Sequence, residues 1–98
     1  MTLEAGAARD TVADVPVVLR IANASGQPLR LWVEPWGDHV DVDVGSAVKV
    51  LSNGIELTPL GVQLHETGLT LWWEWSCSGP EFVSEANAPL LDYRNLCA

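Results

Sequence analysis

Three turn signals within residues 29–57, LRLWVEPWGDHVDVDVGSAVKVLSNGIEL, constrain this chain more than anything else in it. Between the turns, apolar residues alternate with polar ones, the period of a half-buried strand. Pro35-Trp36-Gly37-Asp38 reads as the first loop, because proline pre-sets φ and glycine accepts a positive one. Glu34 then faces His39, Val33 meets Val40, Leu31 meets Val42 and Leu29 meets Val44. On the opposite face Trp32 meets Asp41 and Arg30 meets Asp43. A three-residue loop would set Val33 against His39 and mix the faces. Gly45-Ser46-Ala47 next pairs Val44 with Val48 and Val42 with Val50, leaving Asp43 opposite Lys49. Asn53-Gly54 supplies the residues of a type I′ turn and pairs Val50 with Leu57. All three turns agree on one apolar face, so a four-strand antiparallel meander is expected. A variant keeps the inward residues but uses the 35–38 loop to carry the chain between two sheets.

The remaining chain extends this pattern. Val15–Asn23 reads as a strand with Val17, Leu19 and Ile21 on one face and an unusually apolar second face, as if covered on both sides. Ser25-Gly26-Gln27-Pro28 is a turn. Residues 60–76 form a second hairpin in which Thr67-Gly68 as the loop pairs Leu64 with Leu71, Val62 with Trp73 and Leu60 with Trp75. Trp73 and Trp75 are thereby expected in the core. Residues 81–84 read as a short strand, and residues 90–97 as a strand or a short helix. Residues 1–14, rich in Ala, Gly and Asp without periodicity, are expected to be a flexible leader ahead of a single domain at 15–98.

Composition bounds the function. Of 98 residues 48% are hydrophobic and 18% charged, enough for a core without staples. The net charge of −8 rests on only five Lys and Arg, which excludes nucleic-acid and anionic-membrane binding by a basic patch. Apolar runs are too short to span a bilayer. The opening MTLEAGAARDTVAD has no basic region followed by an apolar stretch. A cytoplasmic protein is therefore expected, with Cys77 and Cys97 reduced; in an exported protein they would bridge and tie down the C-terminal tail.

Seven to eight short strands at near-regular spacing imply an all-β, single, small antiparallel β-sandwich. Over roughly residues 15–84, the strand count, the two hairpins and the late tryptophan-rich strand resemble small Ig-like or cupredoxin-like sandwiches. The copper ligands of cupredoxins are not matched: SGPEF follows Cys77, and Met1 is the only methionine. The Ig order of cysteine, tryptophan and cysteine is not matched either, since no cysteine precedes Cys77. The resemblance implies a fold and no activity.

The functional candidates are aromatic and acidic. Trp32 and Trp72 fall off the core face and Trp36 at a loop tip, and exposed indoles mark binding surfaces. Glu34 and Asp41 lie beside them. His39, Asp41 and Asp43 alternate along one strand and do not converge, so no metal site is expected. His65 and Cys77 have no sequence partner that would make either catalytic. No nucleophile elbow, zinc-protease helix or phosphate-binding glycine loop is present. The sequence is read as a cofactor-free, non-enzymatic interaction module, soluble and cytoplasmic. Its expected partner is a protein, a basic one being the variant the acidity suits, bound at Trp32, Glu34, Trp36, Asp41 and Trp72, with self-association as a second expectation. A carbohydrate-binding module using the same tryptophans is the alternative, and a metal- or thiol-dependent enzyme the weakest reading.

Overall fold

A computed structural model describes residues 3–6, 11–12, 15–51 and 59–97. Ten strands lie among them: β1 (Leu3–Gly6), β2 (Thr11–Val12), β3 (Val15–Asn23), β4 (Leu29–Glu34), β5 (Asp38–Val42), β6 (Ala47–Leu51), β7 (Gly61–His65), β8 (Gly68–Trp72), β9 (Glu81–Ser84) and β10 (Pro89–Asp92). They form two sheets packed as a small β-sandwich. The first runs β1-β3-β6-β9-β10, with β2 also on β3, and the second runs β5-β4-β8-β7. Its central pairing, β4 with β8, is parallel. Among the described residues no helix is long and apolar enough to cross a membrane.

The inward residues are those the alternation selects. Ile21, Val48, Val50 and Phe82 of the first sheet meet Leu29, Leu31, Val33, Leu69 and Leu71 of the second. Each such buried side chain stabilises the fold by roughly 1.5–3 kcal/mol relative to exposure. β3 carries a bulge between Val17 and Leu19. That extra residue turns Val17 to the outer face, where it packs with Leu51 and Val83 beside Val12 and Val15. The expectation that Val17, Leu19 and Ile21 share a face fails there, and the apolar second face of β3 is accounted for.

The meander is where sequence and structure part. β5 and β6 do not pair; the chain crosses between sheets at 43–46 instead. Gly45 adopts φ 78° in this crossing, and Ser46 N–H donates to the Asp43 carbonyl. Val44, expected in the core, is 55% exposed. The crossing is anchored by Asn23, a buried polar residue at the end of β3. Its amide nitrogen donates to the carbonyls of Val42 and Gln27, and its backbone exchanges hydrogen bonds with Gly45 and Ser46. Alternation cannot reveal such a crossing, because a strand keeps the same inward residues whether its neighbour lies beside it or across the core. The Asn53-Gly54 turn lies outside the described residues. Leu57 lies outside them too; β6 is paired on both sides, by β3 and β9, with Val50 opposite Leu19 and Phe82.

Both hairpins of the second sheet are shifted by two residues from the expected register. Leu31 pairs with Val40 and Arg30 with Asp41, around a loop at 34–37. Val62 pairs with Leu71 and Leu64 with Leu69, around 66–67. A two-residue shift preserves the faces, so apolar patterning does not distinguish the registers. It does move the partners: Arg30 pairs with Asp41 rather than with Asp43.

The chain ends also depart from expectation. Within the presumed flexible leader, β1 and β2 both pair with β3, through backbone bonds that side-chain periodicity does not report. Regular β8 ends at Trp72. Trp73 is buried as expected, but Trp75 is 62% exposed because the chain leaves the sheet before reaching it. Cys77 and Cys97 form a disulfide, with Cα atoms 5.0 Å apart, in place of the expected reduced thiols. The segments they join are already held by Leu96 N–H to the Cys77 carbonyl and Tyr93 N–H to the Pro80 carbonyl.

Candidate functional site

The outer face of the second sheet presents three ranks of side chains across its strands. Asp41, Arg30, Gly68 and His65 form the first rank. His39, Trp32, Thr70 and Gln63 form the second, and Glu34, Trp72 and Gly61 the third. Sequence alternation placed Trp32, Glu34, Asp41 and Trp72 off the core, and the parallel pairing of β4 with β8 brings all four onto this one face.

At its centre is Trp32, half-buried. The His39 ring lies against it at 4.8 Å between centroids, tilted by 54°. The Arg30 guanidinium sits 5.7 Å from the indole centroid, within cation–π reach. Arg30 is fixed there by Asp41, to which its Nε donates at 2.9 Å. That hydrogen bond holds the Asp41 carboxyl below its usual range and raises the guanidinium's affinity for its proton. On the other side of Trp32, Thr70 is buried and its hydroxyl lies 2.7 Å from His65 Nε2, joining β8 to β7.

A shallow groove of about 480 Å³ opens beside Trp32, lined also by Pro28, Arg30, Asp41, Asp43 and Thr67. Asp43 has no ion-pair partner among the described residues, so the groove is lined by one carboxylate paired with Arg30 and one without such a partner there. The groove therefore offers an apolar ring face, an acceptor-only group and the Arg30–Asp41 pair. Its size lies within the range of small-ligand sites. Among the described residues, no three His, Cys, Asp or Glu side chains cluster to hold a metal ion.

Trp36 does not belong to this face. It is half-buried on the far side of the 34–37 loop, stacked on Tyr93 at 4.2 Å and 14°, with Trp75 at 6.0 Å. A Cβ on Gly79 would press on both Trp36 and Tyr93, so the glycine admits the stack. Asp38 likewise turns away from His39 and Asp41, accepting a hydrogen bond from the Tyr93 hydroxyl. Thr67 enters the groove through a long-range contact, Arg30 N–H to the Thr67 carbonyl at 3.1 Å. No local sequence signal announces that pairing. No protein-family model, curated protein or solved structure matches the chain.

Proposed function

We propose that this chain is a non-enzymatic binding module whose ligand is a protein segment bearing basic side chains, seated on the outer face of the second sheet. The observation that carries this reading is the Asp43 carboxylate, without an ion-pair partner among the described residues, in the lining of the groove beside the Trp32 ring. Trp32 supplies apolar contact area, and a Lys or Arg of the partner supplies the charge that Asp43 lacks. With a net charge of −8, the molecule as a whole steers such a partner inward. The Cys77–Cys97 bridge supports an oxidising compartment rather than the cytoplasm as its place of action.

The concavity of the groove favours a second reading, a carbohydrate ligand. A sugar ring would stack on Trp32 while Asp43 accepted its hydroxyl protons. One experiment separates the two. Peptide arrays of graded Lys and Arg content and glycan arrays are probed with wild type, Trp32→Ala and Asp43→Asn. Binding that rises with peptide basicity, weakens with salt and is lost in Trp32→Ala supports the protein reading. Retention by glycans alone supports the sugar reading. Binding indifferent to Trp32 removes the groove from both.

A further inference from the structure

We propose that two copies of this chain join through β7, edge to edge, in an antiparallel two-fold pairing centred on Gln63. β7 ends the second sheet, and among the described residues no strand pairs with its outer side. Proteins ordinarily blunt such an edge with charge, proline or a bulge. The other described edges follow that rule. β5 carries Asp38 and Asp41, and β10 begins at Pro89 and is bulged before Leu91. β1 includes Glu4 in its sequence. β7, with the sequence GVQLH, has no acidic residue, lysine or proline, and its pairing with β8 is unbroken from Gly61 to His65.

Its side chains point to the same conclusion. Val62 and Leu64 lie on the face that in β8 buries Leu69 and Leu71 completely, yet they are 54% and 57% exposed. Neither belongs to the core cluster in which the two sheets meet. Leu60, just before β7, is 70% exposed and lengthens the apolar strip.

A second copy fits this edge by symmetry. Rotation about Gln63 sets Val62 against the partner's Leu64 and Gly61 against the partner's His65, so apolar meets apolar on one face. Gln63 meets its own twin, and a primary amide both donates and accepts. Glu66, the acid nearest β7 in the hairpin loop, falls opposite the partner's Leu60 rather than another carboxylate. For a chain of charge −8, this is an edge where two copies meet without opposing acids. The product is one continuous eight-stranded sheet with both Trp32 grooves on the same side. Five strand spacings separate β4 from its twin, about 24 Å.

Sedimentation analysis of the full chain from micromolar to millimolar concentration tests the proposal, with wild type, Leu64→Lys and Trp32→Ala in parallel. Leu64 is exposed, so its substitution leaves the monomer folded. Expected is a concentration-dependent dimer in wild type and in Trp32→Ala. Leu64→Lys should weaken it by at least about tenfold, the effect of roughly 1.4 kcal/mol. Hydrogen exchange at the β7 amides should slow as concentration rises, and added salt should favour the dimer by screening net charge. A chain monomeric throughout, a dimer untouched by Leu64→Lys, or β7 protection independent of concentration would each overturn the proposal. The last would mean that the chain covers its own edge.

Discussion

The Tyr93 hydroxyl donates to Asp38 Oδ2 across 2.5 Å, joining the segment after β10 to the first residue of β5. The bond thus ties the segment leaving the last strand of the first sheet to the edge strand of the second. Tyr93 also carries the Trp36 stack, so one side chain fastens both the loop and the strand of the first hairpin in the second sheet.

Tyr93 should therefore set the alkaline limit of the fold. Burial first, and then Asp38, holds its hydroxyl well above the usual tyrosine range. A proton affinity higher in the folded state contributes stability that is full below the unfolded value near pH 10 and is lost as pH rises beyond it. This is the only tyrosine in the chain, so phenolate absorbance reads it directly. Phenolate should appear only as the protein unfolds, and Tyr93→Phe should lower stability by about 1.5–3 kcal/mol at neutral pH, as expected for a hydrogen bond to a charged group.

Trp36 and Trp32 should separate cleanly. Trp36→Ala removes a half-buried ring from the Tyr93 stack and should cost about 2–4 kcal/mol in urea unfolding. Trp32→Ala should cost less than half as much and remove the groove's ring. If Trp36→Ala leaves the melting temperature unchanged, the stack does not support the fold.

Reduction of Cys77–Cys97 should lower stability by roughly 3 kcal/mol, the chain-entropy expectation for a loop of this size. The bridge spans 20 positions, and Trp75 and Trp36 lie close to the segment it secures. Tryptophan fluorescence under denaturant, with and without reductant, measures the difference. The double replacement Cys77→Ser, Cys97→Ser should match the reduced protein.

Gly68 marks the junction of β4 and β8. A Cβ there would run into the Arg30 carbonyl, which is backbone and cannot swing aside. Gly68→Ala should cost more than about 2 kcal/mol by overpacking. Gly61→Ala, with nothing within 4 Å of the added atom, should stay within about 0.5 kcal/mol. Equal melting temperatures for the two variants would show that β4 and β8 can separate at no cost.

Much of this architecture is legible in the sequence because burial is periodic. Leu29, Leu31, Val33, Leu69 and Leu71 announce their face by alternation, and Trp32 and Trp72 announce theirs by opposing it. What alternation cannot carry is which strand lies beside which. The shift of Arg30 from Asp43 to Asp41 changes no face. The crossing after Val42 is decided by Asn23, whose burial is visible only once the two crossing loops are in place. The surroundings of Trp36 and Trp75 escape the pattern for a related reason: neither sits in a strand, so period says nothing about what they pack against. Thr67 reached the groove through a parallel pairing between segments far apart in sequence, which no local pattern encodes.

That parallel pairing has a bearing on cohesion. Each hairpin of the second sheet closes across a short loop, whereas β4 and β8 must find each other across the chain, so their seam carries most of the loop-closure entropy of the sheet. The groove straddles it, with Arg30, Trp32 and Asp41 from one hairpin and Thr67 from the other. Whatever occupies the groove clasps the two halves together, and its binding free energy becomes resistance to their separation. Occupancy should then be readable from within the protein, as slowed opening of β4 against β8, before the occupant itself has been identified.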